Sequence, residues 1–142
     1  MKVLIADEQA LFRDGLALRL KQIEQNTDII QVSNIAEMQK IISKEPILDI
    51  IILDTDMAEP NVSEIISKIK TTQPETKIIA ISSSEDARNI KKILSFGVKG
   101  YIPKKLDSNI LSGALKLIID GGTYIPSVLL DNTLQIGRAS CR

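Results

Sequence analysis

Two carboxylates stand where one short hydrophobic run ends, Asp7-Glu8 after Val3-Leu4-Ile5-Ala6, and a third, Asp54, ends the run Ile50-Ile51-Ile52-Leu53. Two later strand-like segments end in Ser82 and, just beyond Tyr101, in Lys104. Clustered acids suit a hard, oxygen-liking divalent cation such as Mg²⁺. A hydroxyl and an ammonium on the same rim suit a phosphoryl group. In that chemistry Asp54 is the nucleophile, because a carboxylate beside a divalent cation can attack phosphorus and become an aspartyl phosphate. Asp7 and Glu8 hold the metal, directly or through water; Ser82 hydrogen-bonds one phosphoryl oxygen and Lys104 pairs with another. Each residue alone is weak, since an Asp ending a strand is more often a turn former or helix cap. Five suitable residues at the ends of four strand-like segments are much harder to reach by chance.

For these side chains to meet, the segments that carry them must lie side by side and end at one edge. Strand-like runs recur at 2–6, about 28–32, 48–53, 77–82 and 100–102, and their continuous apolar character is that of parallel strands buried on both faces. Helical spacing fills the gaps. Leu11, Leu16, Leu20 and Ile23 form one apolar face, Ile35, Met38, Ile41 and Ile42 a second, and Ile65, Ile66 and Ile69 a third. Ser84-Glu85-Asp86 read as the cap and acidic start of a fourth helix ending before Gly97. Asp107-Ser108 cap a fifth, with Ile110, Leu111, Ala114, Leu117 and Ile118 as its apolar face and Gly121-Gly122 as its stop. A βα unit repeated five times closes as a right-handed, doubly wound α/β fold with a five-stranded parallel sheet. The carboxyl ends of such strands form the ligand crevice.

The 142 residues fit one domain, and composition narrows what it can do. Lysine plus arginine equals aspartate plus glutamate at 18 each, so there is no basic footprint for nucleic acid or an anionic membrane. The chain has no histidine, which removes imidazole bases and histidine metal ligands. Its one cysteine, Cys141, excludes an internal disulfide and fits a reducing cytosol. No apolar run reaches membrane-spanning length, and Met1-Lys2 leads straight into a strand, so a cytoplasmic domain is expected.

The acid pair Asp7-Glu8, the Ile-Ile-Ile-Leu-Asp54 run, Ser82 28 residues later and Lys104 22 residues beyond that resemble the receiver domains of two-component response regulators. The resemblance covers about residues 1–121 and implies the flavodoxin/CheY-like form of the doubly wound sheet. It implies Asp54 as phosphoacceptor, Glu8 as direct Mg²⁺ ligand, Asp7 acting mostly through water, and the backbone carbonyl of Asp56 completing the metal shell. Ser82 would be the switch hydroxyl, Lys104 the phosphate-pairing lysine, and Tyr101 the aromatic switch that turns inward when the hydroxyl engages phosphate. The phosphodonor is expected to be a partner sensor histidine kinase. The segments Gly97–Lys104 and Gly121-Gly122-Thr123-Tyr124-Ile125-Pro126 narrow the resemblance to transcription regulators of the NarL/LuxR type. Such proteins reach DNA through a helix-turn-helix effector domain that this chain lacks, so a receiver separated from its effector, or less readily a stand-alone receiver, is expected. Homodimerisation is a further expectation of the resemblance. Residues 122–136 are expected to be a linker or extra helix, Ser127 to Leu134 the helical part, and 137–142 a vector-derived tail.

The sequence departs from the family pattern in the loop Asp54-Thr55-Asp56-Met57-Ala58-Glu59-Pro60, where Val62 takes a usual glycine place and Pro60 is expected to cap the third helix. Asp56 sets a carboxylate two residues past the phosphoacceptor; it is either a solvated loop acid or a group that repels anionic phosphodonors and reshapes the metal shell. Ser83, where a small residue usually admits the donor, should still permit access. The lysines Lys91, Lys92, Lys99 and Lys105 either line a basic partner-facing surface or form a solvated face. Asp54-Thr55-Asp56 also satisfies a DxD pattern, as in haloacid-dehalogenase-type phosphatases and Toprim-type nucleic-acid enzymes. The first place it on the first strand, and the second do not need the Ser82 and Lys104 pair. A flavin-binding module is disfavoured because no phosphate-cradling loop follows the first strand. A pseudo-receiver, an interaction module that no longer cycles phosphate, is the more serious rival.

Overall fold

The computed structural model describes residues 1–45 and 47–129. Five strands, β1 (Lys2–Ala6), β2 (Asp28–Val32), β3 (Ile50–Asp54), β4 (Lys77–Ser82) and β5 (Gly100–Pro103), pair in parallel in the order β2-β1-β3-β4-β5. The helices between and after them are α1 (Ala10–Ile23), α2 (Ile35–Lys44), α3 (Thr55–Ala58), α4 (Val62–Thr72), α5 (Ala87–Ser95) and α6 (Ser108–Ile119). The expected doubly wound α/β sheet is therefore present, with the strand order reversing between β1 and β3.

Alternation along each buried strand divides the core in two. Leu4, Ala6, Ile51, Leu53, Ile78, Ala80 and Tyr101 belong to one cluster, with Met38, Ile66 and Ile90 from α2, α4 and α5. Val3, Ile5, Ile50, Ile52, Ile79, Ile81 and Ile102 form the other, under Leu16 and Leu20 of α1 and Leu115 and Ile118 of α6. Burial on both faces explains why these strands read as unbroken apolar runs.

Some local expectations shift. β3 begins at Ile50, not 48; Leu48 is buried beside the strand, its N–H bonded to Gln73 Oε1 at 3.2 Å. The segment after Asp54 is the short helix α3, not a loop, and α4 starts after Asn61, so Pro60 does not cap it. Leu11, at 88% exposure, leaves the face assigned to it because the first turn of α1 lies at the rim, past the end of β1. Ile110 and Leu117 are also exposed, and Leu115 takes the buried place on α6. Asp107 caps α6 as expected, accepting from the Asn109 N–H at 2.8 Å. But α5 starts later than expected: Asp86, placed in the acidic first turn, is itself the cap and accepts from the Arg88 N–H at 3.3 Å, leaving Ser84 and Glu85 outside the helix. Past Gly121, Tyr124 pairs with Gly100 at the edge of β5, and Leu129 is buried against the α2–α4–α5 cluster. The tail beyond residue 129, including most of the expected Ser127–Leu134 helix and all of 137–142, lies outside the described residues. Among the described residues no helix is long and apolar enough to cross a membrane.

Candidate functional site

Register brings the chemistry-bearing residues together. Ala6 pairs with Leu53 and Asp54 with Ile81, while Ser82 pairs with Pro103, so Asp7, Asp54, Ser82 and Lys104 all emerge at the carboxyl edge of β1, β3, β4 and β5. This is the crevice beside the reversal of strand order.

Lys104 is the hub. Its Nζ lies 2.9 Å from Asp7 Oδ2 and 3.2 Å from Asp54 Oδ2, and it donates to Gln9 Oε1 at 2.8 Å. The ammonium also sits 5.1 Å from the centre of the Phe12 ring. Burial would lower the Lys104 pKa, but the Asp7 and Asp54 carboxylates outweigh it and hold it above the ordinary value. Asp54 goes the other way. Burial, then the neighbouring Asp7 charge, push its carboxyl up to about 6 from 3.8, against the pull of Lys104. Asp54 Oδ1 accepts from the Asp56 N–H at 3.0 Å, so Asp54 is also the N-cap of α3. Thr55 Oγ1 anchors that turn by donating to the Ile81 carbonyl at 3.3 Å.

Asp7 is fully buried and its Oδ1 accepts from the Gln9 N–H at 2.8 Å. Its Oδ2 is sealed from solvent without a hydrogen-bond donor aligned to it, and Lys104 is its charge partner. Glu8 is exposed on the rim. Among the described residues no three acidic side chains are gathered into a closed metal cage. The donors nevertheless fit a small hard cation of the Mg²⁺ kind, which keeps several waters and takes one or two carboxylates. Asp7 Oδ2 lacks an aligned donor, and the Asp7–Asp54 repulsion that raises the Asp54 pKa is what a divalent charge relieves.

Asp56 is exposed at the rim, yet both of its carboxylate oxygens are engaged. Its Oδ1 accepts from Ser82 Oγ at 2.7 Å, and its Oδ2 accepts from the Ser83 N–H at 2.9 Å and Ser83 Oγ at 2.7 Å. Burial would raise its pKa, but these hydrogen bonds outweigh it and hold the carboxyl below the ordinary value. Asp54 and Asp56, the DxD pair, thus meet different partners. Tyr101 is fully buried, with its hydroxyl donating to the Ser84 carbonyl at 2.7 Å. Gln9, Phe12, Thr55 and Ser84 take part in the site without having been singled out from sequence. Nothing in their types or spacing marks them; only the fold carries them to the rim. Lys91, Lys92, Lys99 and Lys105 are exposed.

The profile described as the response regulator receiver domain matches residues 3–116. The oxygen regulatory protein NreC of Staphylococcus epidermidis is 34% identical over 128 residues, which are 88% of this chain and 57% of NreC. This chain therefore spans little more than half the length of that relative. Among solved structures, the isolated receiver domain of RcsB from Salmonella enterica serovar Typhimurium, determined with the phosphomimetic BeF3⁻, has a TM-score of 0.80 at 21% identity, covering 92% of this chain and 96% of that one. A LuxR family DNA-binding response regulator from Silicibacter pomeroyi has a TM-score of 0.75 at 24% identity, covering 89% and 97%. At these identities the two structures speak for the fold.

Proposed function

This chain belongs to the response regulator receiver domain family, and from that premise we propose that it is a signalling switch that accepts a phosphoryl group on Asp54 from a sensor histidine kinase in the cytoplasm. One observation carries the proposal: a half-buried ammonium, Lys104, bridges Asp7 and Asp54 at the strand ends.

Above its pKa of about 6, Asp54 is a carboxylate and a nucleophile. Its oxygen attacks the phosphorus of a phosphohistidine on the kinase; the P–N bond breaks and the imidazole leaves with the kinase. Glu8, Asp54 and the Asp56 backbone carbonyl, with Asp7 mostly through water, would hold Mg²⁺, which would supply positive charge against the phosphoryl oxygens. Lys104, freed from bridging two acids, pairs with a phosphoryl oxygen, and the Ser82 hydroxyl donates to another. Tyr101 packs behind Ser84, coupling this hydroxyl to the face made by α5, β5 and α6. DNA contact would fall to a separate effector domain rather than to this chain; the Silicibacter pomeroyi neighbour is described as a DNA-binding response regulator. Pairing of two receivers would align two such domains.

The hold of Asp56 on Ser82 favours a second reading, an interaction module that does not cycle phosphate. Intact-mass spectrometry after incubation with acetyl phosphate, with and without Mg²⁺, separates them. A metal-dependent gain of one phosphoryl group, absent in Asp54→Asn, is the expected outcome. A folded protein that takes up none in either condition would sink the phosphorylation reading and leave the interaction module.

A further inference from the structure

Four groups on three elements form one directional chain of hydrogen bonds. The Tyr101 hydroxyl donates to the Ser84 carbonyl at 2.7 Å, the Ser84 N–H donates to Ser82 Oγ at 3.0 Å, and Ser82 Oγ–H donates to Asp56 Oδ1 at 2.7 Å. The chain ends on an anion. Ser84 accepts through its carbonyl and donates through its N–H, which belong to different peptide groups, so the link from Asp56 to Tyr101 is positional: holding Ser82 and the Ser84 N–H sets where the Ser84 carbonyl stands. The other Asp56 oxygen takes both the N–H and the hydroxyl of Ser83, tying the β4–α5 connection to α3. The Tyr101 side chain that meets this connection has no exposed surface.

We propose that the Asp56 carboxylate serves as a resident stand-in for the phosphoryl group on Ser82, drawing Tyr101 inward in the unmodified protein and giving up the hydroxyl when Asp54 is phosphorylated. The competition follows from valence and charge. Ser82 has one hydroxyl proton to donate, and a phosphoryl group on the neighbouring Asp54 would claim it. That group carries about two negative charges and repels the Asp56 carboxylate across the same small space. Asp56 sits on the exposed rim of α3, so its side chain can turn to water, which takes over from the three hydrogen bonds it gives up. Phosphorylation then exchanges one anion for another at Ser82 without needing to pull Tyr101 in from outside. What changes is the tie between α3 and the β4–α5 connection: Ser83 loses its acceptor and α5 is released from α3.

This inference rests on the receiver reading for its second half only. Its test uses the chain labelled with ¹³C in its two tyrosine rings and ¹⁵N at its backbone amides, observed by NMR first without divalent cation or phosphate analogue, the Tyr101 signal being identified with Tyr124→Phe. The expected wild-type Tyr101 signal is that of a single buried ring, and beryllofluoride with Mg²⁺ leaves it in place. In Asp56→Ala the free protein loses that inward signal for an averaged, solvent-exposed one, and beryllofluoride with Mg²⁺ restores it. Ser82→Ala, which breaks the same chain one link away, loses the inward signal and is not restored. A Tyr101 signal in free Asp56→Ala identical to wild type would overturn the proposal. Failure of the receiver reading looks different: beryllofluoride with Mg²⁺ would move no backbone amide near Asp54 in either protein, while the comparison of the free proteins would still decide the role of Asp56.

Discussion

Asp54 owes its chemistry to being buried beside a second acid, and pH should report that directly. Its carboxyl is raised to about 6 in the folded protein, against an ordinary 3.8 that the unfolded chain should approach. Between those values the folded state holds a proton that the unfolded state has lost, so stability falls as pH rises through this window. Above it the full cost remains, on the order of 2–3 kcal/mol at 1.36 kcal/mol per pKa unit. Asp54→Asn removes that cost while Lys104 keeps Asp7 as its partner. Urea titrations without divalent cation should therefore find the variant more stable than wild type at pH 8, with the gap closing as pH falls from 6 towards 4. A gap independent of pH would show that Asp54 is not held protonated by its neighbours. Mg²⁺ at pH 8 should stabilise wild type more than the variant, because only wild type has the Asp7–Asp54 repulsion to relieve.

At the scale of elements, the site depends on how closely α6 and the chain after it press on β5. Gly100 opens β5, and a Cβ there would lie 2.6 Å from Ile118 Cδ1 and 3.3 Å from the Tyr124 carbonyl oxygen. Ile118 is fully buried and cannot swing away, so the contact must be relieved by shifting α6 or the edge strand. Gly100→Ala should cost about 1–3 kcal/mol in chemical denaturation, the usual range for overpacking. A neutral result would mean that the edge of the sheet is looser than drawn. The neighbouring Gly97 has a different reason: it ends α5 at φ +89°, a left-handed turn that suits glycine. α3 matters in the same way, since this four-residue helix is capped by Asp54 and carries Asp56, which holds Ser82.

Across the whole molecule, the segment after Gly121 behaves as part of the receiver's packing. The Tyr101 N–H donates to the Tyr124 carbonyl and the Tyr124 N–H to the Lys99 carbonyl, both at 3.2 Å, so Tyr124 covers the outer edge of β5. Leu129 is buried in the cluster that also contains Tyr101. Ending the chain at Gly121 would expose that edge and remove one buried Leu, each fully buried aliphatic being worth about 1.5–3 kcal/mol. Such a chain should show a clearly lower urea midpoint than one ending at Leu129, and more self-association at high concentration through its bared edge. Equal midpoints would return residues 122–129 to the status of a linker.

Strand positions, helix caps and the rank of acids, hydroxyl and lysine at strand ends were legible along the chain, because each is written locally. An unbroken run such as Ile50–Leu53 marks a strand buried on both faces, and Asp107 marks a helix start by its own side chain. Leu11, Ile110 and Leu117 misled because periodicity says which residues could face a core, and only packing says how far the core extends. The partner of Asp56 was open for the same reason. Whether that carboxylate met water, the phosphodonor or Ser82 depended on β3 and β4 lying side by side and on α3 turning where a loop was expected. Pairings between residues 26 or 50 positions apart, such as Asp56 with Ser82 or Asp54 with Lys104, have no local signature, so the sequence determined which groups reach the rim and the tertiary structure decided which of them touch.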